Sequence, residues 1–189
     1  MATVNTIDVS SVATPGGRFA VSTSSFLRPN NTTAYTALDV ISCAATGTSD
    51  GGSDAALVFP GVGRSGMVRA VTVSNRLETD TVTPRLFLFD AEPTNFDDNA
   101  ALALVTADLP KWVGRVDFTE RDKLLVGTLI NVYEGVTILD HATLAPQVRP
   151  ITMPYASANG KLYGLLQTVT GYTPIALTSF VVRVMVEYD

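Results

Sequence analysis

Ser179-Phe180-Val181-Val182-Arg183-Val184-Met185-Val186-Glu187-Tyr188 decides the fold class of this chain. Phe180, Val182, Val184, Val186 and Tyr188 fall on alternate positions, with Val181, Arg183, Met185 and Glu187 between them. A period of two places the first set on one face of a strand and leaves Arg183 and Glu187 on the wetter side. Val is β-branched and stiff about its first side-chain torsion, which suits a pleated surface better than a helix. Working outward, the same texture recurs. The spacing predicts strands over Arg18–Ser24, Leu38–Ala44, Ala55–Phe59, Gly66–Asn75, Arg85–Asp90, Val113–Phe118, Thr128–Tyr133 and Lys161–Val169. Between them lie clusters of Gly, Pro, Asn and Asp, including Arg28–Asn31, Gly47–Asp54, Glu78–Pro84, Ala91–Asn99 and Gly171–Pro174. Many short strands punctuated by turns point to an all-β sandwich or barrel.

Two stretches depart from that texture. Arg85-Leu86-Phe87-Leu88-Phe89-Asp90 is large and apolar on both faces, so it is either a central strand with its second face covered by a loop, or a strand at a subunit contact. Asp97-Asp98-Asn99 before Ala100-Ala101-Leu102-Ala103-Leu104 reads as an N-cap and one short helix, stopped by Pro110. Residues 1–17 are small, polar and end in Pro15-Gly16-Gly17. They read as an N-terminal arm, extended or disordered, ahead of one β domain over 18–189.

Composition narrows the function. The chain has 189 residues, 46% apolar and 16% charged, against about 25% charged in an ordinary soluble domain. Its 12 Ser and 24 Thr make the polar surface one of hydroxyls. The net charge of −5 repels phosphate backbones, which argues against a nucleic-acid partner. No stretch is apolar enough for a membrane span, and the first residues lack the basic and apolar regions of a signal peptide, so synthesis in a reducing cytoplasm is expected.

No residue set names a reaction. His141 is the only histidine, and Asp140 beside it points to the other face of any strand, so the pair makes no triad. Ser65 in Gly63-Arg64-Ser65-Gly66 lacks the nucleophile-elbow spacing. Cys43 sits in a small apolar run and reads as structural. Asp90, Glu92, Asp97 and Asp98 surround one loop, and Asp50 and Asp54 another. Asn95–Asn99 begins like a calcium loop but has Ala100 where glycine is needed and Thr106 in place of the glutamate. No catalytic set, cofactor or metal site is expected. The 10 Arg against 3 Lys favour protein interfaces, where Arg is enriched. The expected interface residues are Arg18, Phe26, Arg28, Arg64, Arg69, Phe87 and Phe89.

Three stretches together carry a resemblance. Phe26-Leu27-Arg28-Pro29 leads to Thr33-Ala34-Tyr35 and Asp39-Val40. Gly66-Met67-Val68-Arg69-Ala70-Val71 is followed by Arg85–Phe89, Pro93-Thr94 and Asp98-Asn99-Ala100-Ala101. Lys161-Leu162-Tyr163-Gly164-Leu165-Leu166 precedes Gly171-Tyr172-Thr173-Pro174. In this order they resemble the head decoration, or cement, proteins of tailed bacteriophages, over about residues 24–188, with Leu102 where an aromatic is usual. The resemblance implies a jelly-roll-like β-sandwich on the outside of a phage head. It would bridge neighbouring major capsid subunits, commonly as a trimer, with no enzymatic activity. The virion exterior would be its location, after synthesis in the host bacterium. A competing reading is a carbohydrate- or receptor-binding module of a phage tail, with Trp112, Tyr133, Tyr155, Tyr163 and Tyr172 as candidate aromatics. A hydrolase using Asp97 or Asp98 ranks third.

Overall fold

The computed structural model describes residues 8–14, 17–43, 56–75, 82–94, 96–118, 123–125, 131–135, 137–139, 146–148 and 151–188. In chain order the strands are β1 (Asp8–Thr14), β2 (Gly17–Leu27), β3 (Val40–Ile41), β4 (Leu57–Pro60), β5 (Ser65–Asn75), β6 (Pro84–Phe89), β7 (Trp112–Asp117), β8 (Lys123–Leu125), β9 (Asn131–Gly135), β10 (Thr137–Leu139), β11 (Pro146–Val148), β12 (Met153–Ala156), β13 (Lys161–Thr168) and β14 (Ser179–Tyr188). One antiparallel sheet runs β1-β2-β14-β5-β9-β8, with β12 also on β5. The other runs β3-β13-β6-β7, with β4 also on β13, and β10 and β11 form a separate pair. The chain is an all-β sandwich, as the sequence predicts.

Strand β14 sits at the centre of the larger sheet, between β2 and β5. Phe180, Val182, Val184 and Val186 are fully buried, while Arg183 is exposed. They meet Val68, Val71 and Val73 of β5, and across the sandwich Leu86 and Leu88 of β6, Val116 of β7, Leu162 and Leu166 of β13 and Phe59 of β4. Each such buried side chain contributes about 1.5–3 kcal/mol from removal of its surface from water.

Inward hydroxyls seal one edge. β4 pairs with β13 on one side only, and its other edge faces β2. There Val58 N–H donates to Ser24 Oγ at 3.2 Å, and Ser22 Oγ donates to the Pro60 carbonyl at 2.8 Å. Ser22 and Ser24 are therefore buried in a strand whose neighbouring inward residues are apolar. Unmet backbone groups at a buried edge are costly, and these two serines satisfy one donor and one acceptor.

The second face of β6 is covered from within the chain. Phe87 and Phe89 join Ala56, Tyr163 and Leu165 in a second apolar cluster, against which Val58, Phe96, Leu102 and Leu104 pack. The choice between a loop and a subunit contact is thus resolved as a loop. That loop also corrects the helix expected at Ala100–Leu104. Asn99 N–H donates to Val40 O, Val40 N–H to Ala100 O and Leu102 N–H to Leu38 O, so the segment is extended and pairs with residues 38–40. Leu102 and Leu104 turn inward, and Ala101, Ala103 and Val105 turn outward, a period of two. The helix lies later, as a 3₁₀ turn over Thr106–Lys111 with Pro110 inside it.

Part of the N-terminal arm is an extended strand. Its residues 8–14 form β1, antiparallel to β2 from Asp8↔Thr23 to Thr14↔Gly17. β12 was not expected, because Pro154 breaks its pattern; it adds to β5 at Met153↔Val68 through Ala156↔Ser65.

Gly66 lies where β5, β12 and β14 converge. A Cβ there would stand 2.3 Å from the Glu187 carbonyl oxygen and 2.9 Å from the Tyr155 hydroxyl. Gly66→Ala is expected to lower stability by about 2–3 kcal/mol through forced backbone movement. Ser65→Ala, at the adjacent exposed position, should stay within about 0.5 kcal/mol. Urea unfolding of both variants checks this, and equal midpoints would contradict it.

Candidate functional site

Four residues from separate parts of the chain meet at one end of the sandwich. Arg28 follows β2, Tyr35 lies in the loop after it, Asp98 in the loop after β6, and Tyr172 between β13 and β14. Arg28 Nε donates to the Tyr35 hydroxyl at 2.5 Å, and Nη2 donates to Asp98 Oδ2 at 3.0 Å. Nη1 donates to the Ile175 carbonyl at 3.3 Å. The Tyr35 hydroxyl in turn donates to Asp98 Oδ1, which also accepts the Ser42 backbone N–H at 3.0 Å. The rings of Tyr35 and Tyr172 stack at 4.9 Å and 3°. Gly171 allows that approach, since a Cβ there would sit 3.1 Å from the Tyr35 carbonyl. The backbone follows the side chains: Tyr35 N–H donates to Tyr172 O, and Arg28 N–H to Thr178 O.

Arg28 and Asp98 are each 1% exposed. A guanidinium taken from water is tolerable only when its charge is paired and its donors are largely met; here Asp98 pairs the charge and each of the three nitrogens donates one hydrogen bond. Burial works to lower the Arg28 pKa, and Tyr35 and Asp98 beside it outweigh that, so the net direction is upward. Burial, then the stacked Tyr172 and Asp98, push the Tyr35 phenol far above its ordinary value, against the pull of Arg28. Tyr35 is therefore a fixed donor rather than a base. With no face open to a ligand, the cluster's chemistry is that of a tie between segments.

The sequence-predicted residues separate into two groups. Phe26, Arg28, Phe87 and Phe89 are interior: Phe26 stacks on Phe180 at 5.4 Å, Arg28 lies in the cluster, and Phe87 and Phe89 lie under the 96–104 segment. All four are buried by the chain's own residues. Arg18 and Arg64 are exposed, and Arg69 is half-buried in a 2.5 Å ion pair with Glu187. Asp98, read as a helix cap or loop carboxylate, is instead the counter-ion of Arg28. Cys43 packs against the core, whereas Asp50, Asp54, Asp140, His141 and the Tyr133 side chain fall outside the described residues. Tyr155, Tyr163 and Tyr172 are buried, and Trp112 is exposed. The roles of Tyr35 and Tyr172 went unread, although both stand in the motif series that carries the resemblance.

Among the described residues, exposed apolar side chains lie beside the cluster, at Leu38, Ile175 and Leu177, and on two further surfaces. The outer face of β2, β14 and β5 presents Val21 paired with Met185, Thr23 with Arg183 and Thr72, and Ser25 with Val181 and Ser74. Leu27 and Met67 at its margins are exposed. At the 3₁₀ turn, Val105, Leu109 and Trp112 are exposed, while Asp108 is buried and tied to Thr94 N–H and Lys111 Nζ. No protein-family model matches the chain, and no curated protein matches it either.

Removing one partner of the Arg28–Asp98 pair leaves the other buried and uncompensated. Asp98→Leu is expected to cost about 3–5 kcal/mol, and the combined Arg28→Met, Asp98→Leu variant less than that single change. Additive losses in urea unfolding would contradict this. The alkaline limb gives a second check. The folded chain holds the Tyr35 proton while the unfolded chain releases it near the ordinary value of 10.0. The Tyr35 contribution is thus complete below pH 10.0 and falls as pH rises beyond it, by up to about 1.4 kcal/mol per pH unit. Tyr35→Phe should flatten the fall in stability between about pH 9 and pH 11; an unchanged slope would count against it.

Proposed function

We propose that this chain is a non-enzymatic virion protein that binds the outer surface of a tailed-bacteriophage capsid. There, as a jelly-roll-type sandwich acting in trimers, it cements neighbouring major capsid subunits. The observation that carries this reading is that three of the stretches behind the resemblance meet in one place. Residues 26–40, 98–101 and 171–174, far apart in sequence, converge on the Arg28 cluster. A buried tie of this kind constrains several segments at once, which is a reason for such residues to recur together in one fold.

The mechanism follows from linkage. A protein that binds the assembled shell and not its separate subunits stabilises the shell by RT ln(1 + [L]/Kd) at every site. Many copies per head make the effect cumulative. The surfaces suit such a role: the outer face of the larger sheet is rich in hydroxyl and apolar side chains, and a net charge of −5 favours the outside of a head over its DNA-lined interior. Among the described residues β1 is the edge strand of its sheet, a place where a neighbouring strand can add.

Co-sedimentation with purified shells that lack the protein tests this. Saturable binding at physiological salt is expected, and deletion of residues 1–14 should weaken it at least about tenfold while the circular dichroism of the sandwich is kept. No binding at any concentration would overturn the proposal, and full binding by the deletion variant would remove β1 from it. A hit on a glycan array together with no shell binding would favour the tail-module reading.

A further inference from the structure

Three residues other than glycine have a positive φ among the described residues, and all three lie in the segments that meet at the Arg28 cluster: Leu38 at 74°, Asn99 at 63° and Leu177 at 59°. Asparagine tolerates the left-handed region because its short polar side chain bonds locally, and Asn99 Nδ2 donates to the Ala34 carbonyl at 3.3 Å. Leucine has no such compensation. Burial does not supply it either, since Leu38 is 48% and Leu177 49% exposed. Two apolar side chains are thus held half in water on backbone that suits glycine or asparagine better, a pattern that points to a contact outside the chain.

The loops that carry these leucines lie side by side. Leu177 N–H donates to the Pro29 carbonyl at 3.4 Å, Tyr35 N–H to Tyr172 O at 2.9 Å and Leu38 N–H to Thr168 O at 2.9 Å. Residues 29–38 therefore run antiparallel to residues 168–177. Neither segment contains a charged residue. The charges that anchor them are turned inward: Arg28, Asp39 and Asp98 are buried, and Arg85, reached from Leu38 through Gln167, is paired with Asp117. Next to Leu177, Ile175 and Leu27 extend the exposed apolar surface, Leu27 being paired with Ser179. Thr33, Thr36, Thr170 and Thr173 of the same loops are exposed as well.

Resting on the shell-binding proposal, we infer that this end of the sandwich, from Leu27 and Leu177 to Leu38, is the surface that seats on the major capsid subunit, and that the subunit meets it with an uncharged, apolar patch. Charge decides the chemistry of the partner. A charged side chain buried against residues 29–38 and 168–177 would lose its water and find no counter-ion in either loop. Aliphatic side chains of the subunit instead cover Leu38, Ile175 and Leu177, and the threonine hydroxyls donate to or accept from its backbone groups.

Co-sedimentation with shells that lack the protein, together with urea unfolding, tests this on the full chain and its variants. Leu38→Asn and Leu177→Asn should each weaken shell binding about tenfold, with a urea midpoint equal to or above that of the parent. Ala37→Asp and Thr173→Asp, at exposed positions, place a charge in the uncharged surface and should weaken binding by about as much with the fold intact. Ala158→Asp, exposed in the turn at the opposite end of β13, adds the same charge and should bind like the parent. A parent chain that does not bind shells would overturn the shell-binding proposal and this inference with it. Binding by the parent with all four variants unaffected would overturn the inference alone. So would a loss matched by Ala158→Asp, which makes net charge the cause, or urea midpoints lowered by both leucine changes, which makes the leucines part of the fold. A mass in analytical ultracentrifugation that rises with concentration for the parent and not for Leu177→Asn would assign the surface to a second copy, and would likewise overturn it.

Discussion

The guanidinium of Arg28 is the constraint on which one end of the molecule depends. A charge that deep in the protein must find an anion and fill its donors, and no residue near it in sequence provides the anion. Asp98, 70 positions away, supplies the anion; Tyr35 bridges the two; and the Ile175 carbonyl takes a further donor. Meeting that demand fixes where the loops after β2, after β6 and before β14 must run. The stacked Tyr35 and Tyr172 rings and the bridge between their backbones then close the end of the sandwich. A polar cluster with most of its donors met rewards one arrangement and penalises neighbouring ones, so specificity of fold is its main product.

Charge is scarce because the molecule uses other means for the jobs charges usually do. Serines inside β2 satisfy the edge of β4, where two sheets would otherwise meet with unmet backbone groups. The larger charged residues are spent in pairs: Arg28 with Asp98, Arg69 with Glu187, Arg85 and Arg115 with Asp117 and Lys111 with Asp108. The outer face of β6 is hidden by residues 96–104, so its phenylalanines explain part of the apolar excess without any partner. Among the described residues, the outer face of β2, β14 and β5 is left with mostly hydroxyl and apolar side chains, the kind of surface on which protein contacts form.

Strands were legible where alternation was strict. Ser179–Tyr188 is the strand its pattern demands, and the Lys161–Val169 reading differs from β13 by one residue. Both apolar faces of Arg85–Asp90 signalled coverage, and only the structure could assign it to a segment of the same chain. Asp97–Ala101 misled because an aspartate before alanines carries a local capping signal, while the actual partner of Asp98 is a distant arginine that outbids the helix. Arg28 misled for the same reason: composition assigns an arginine to a surface, and nothing local reveals Asp98 and Tyr35. β1 lacked any apolar period, since its pairing is made by the backbone. The resemblance located the residues of the cluster without revealing that they touch.

If the motif residues hold the fold and the surfaces carry the function, the two properties are separable. Binding of shells by the Arg28→Met, Asp98→Leu variant measures that separation most directly. The account predicts a variant that stays folded and binds shells with the affinity of the parent chain. A folded variant that no longer binds would show that the buried cluster itself takes part in recognition, and would contradict the account.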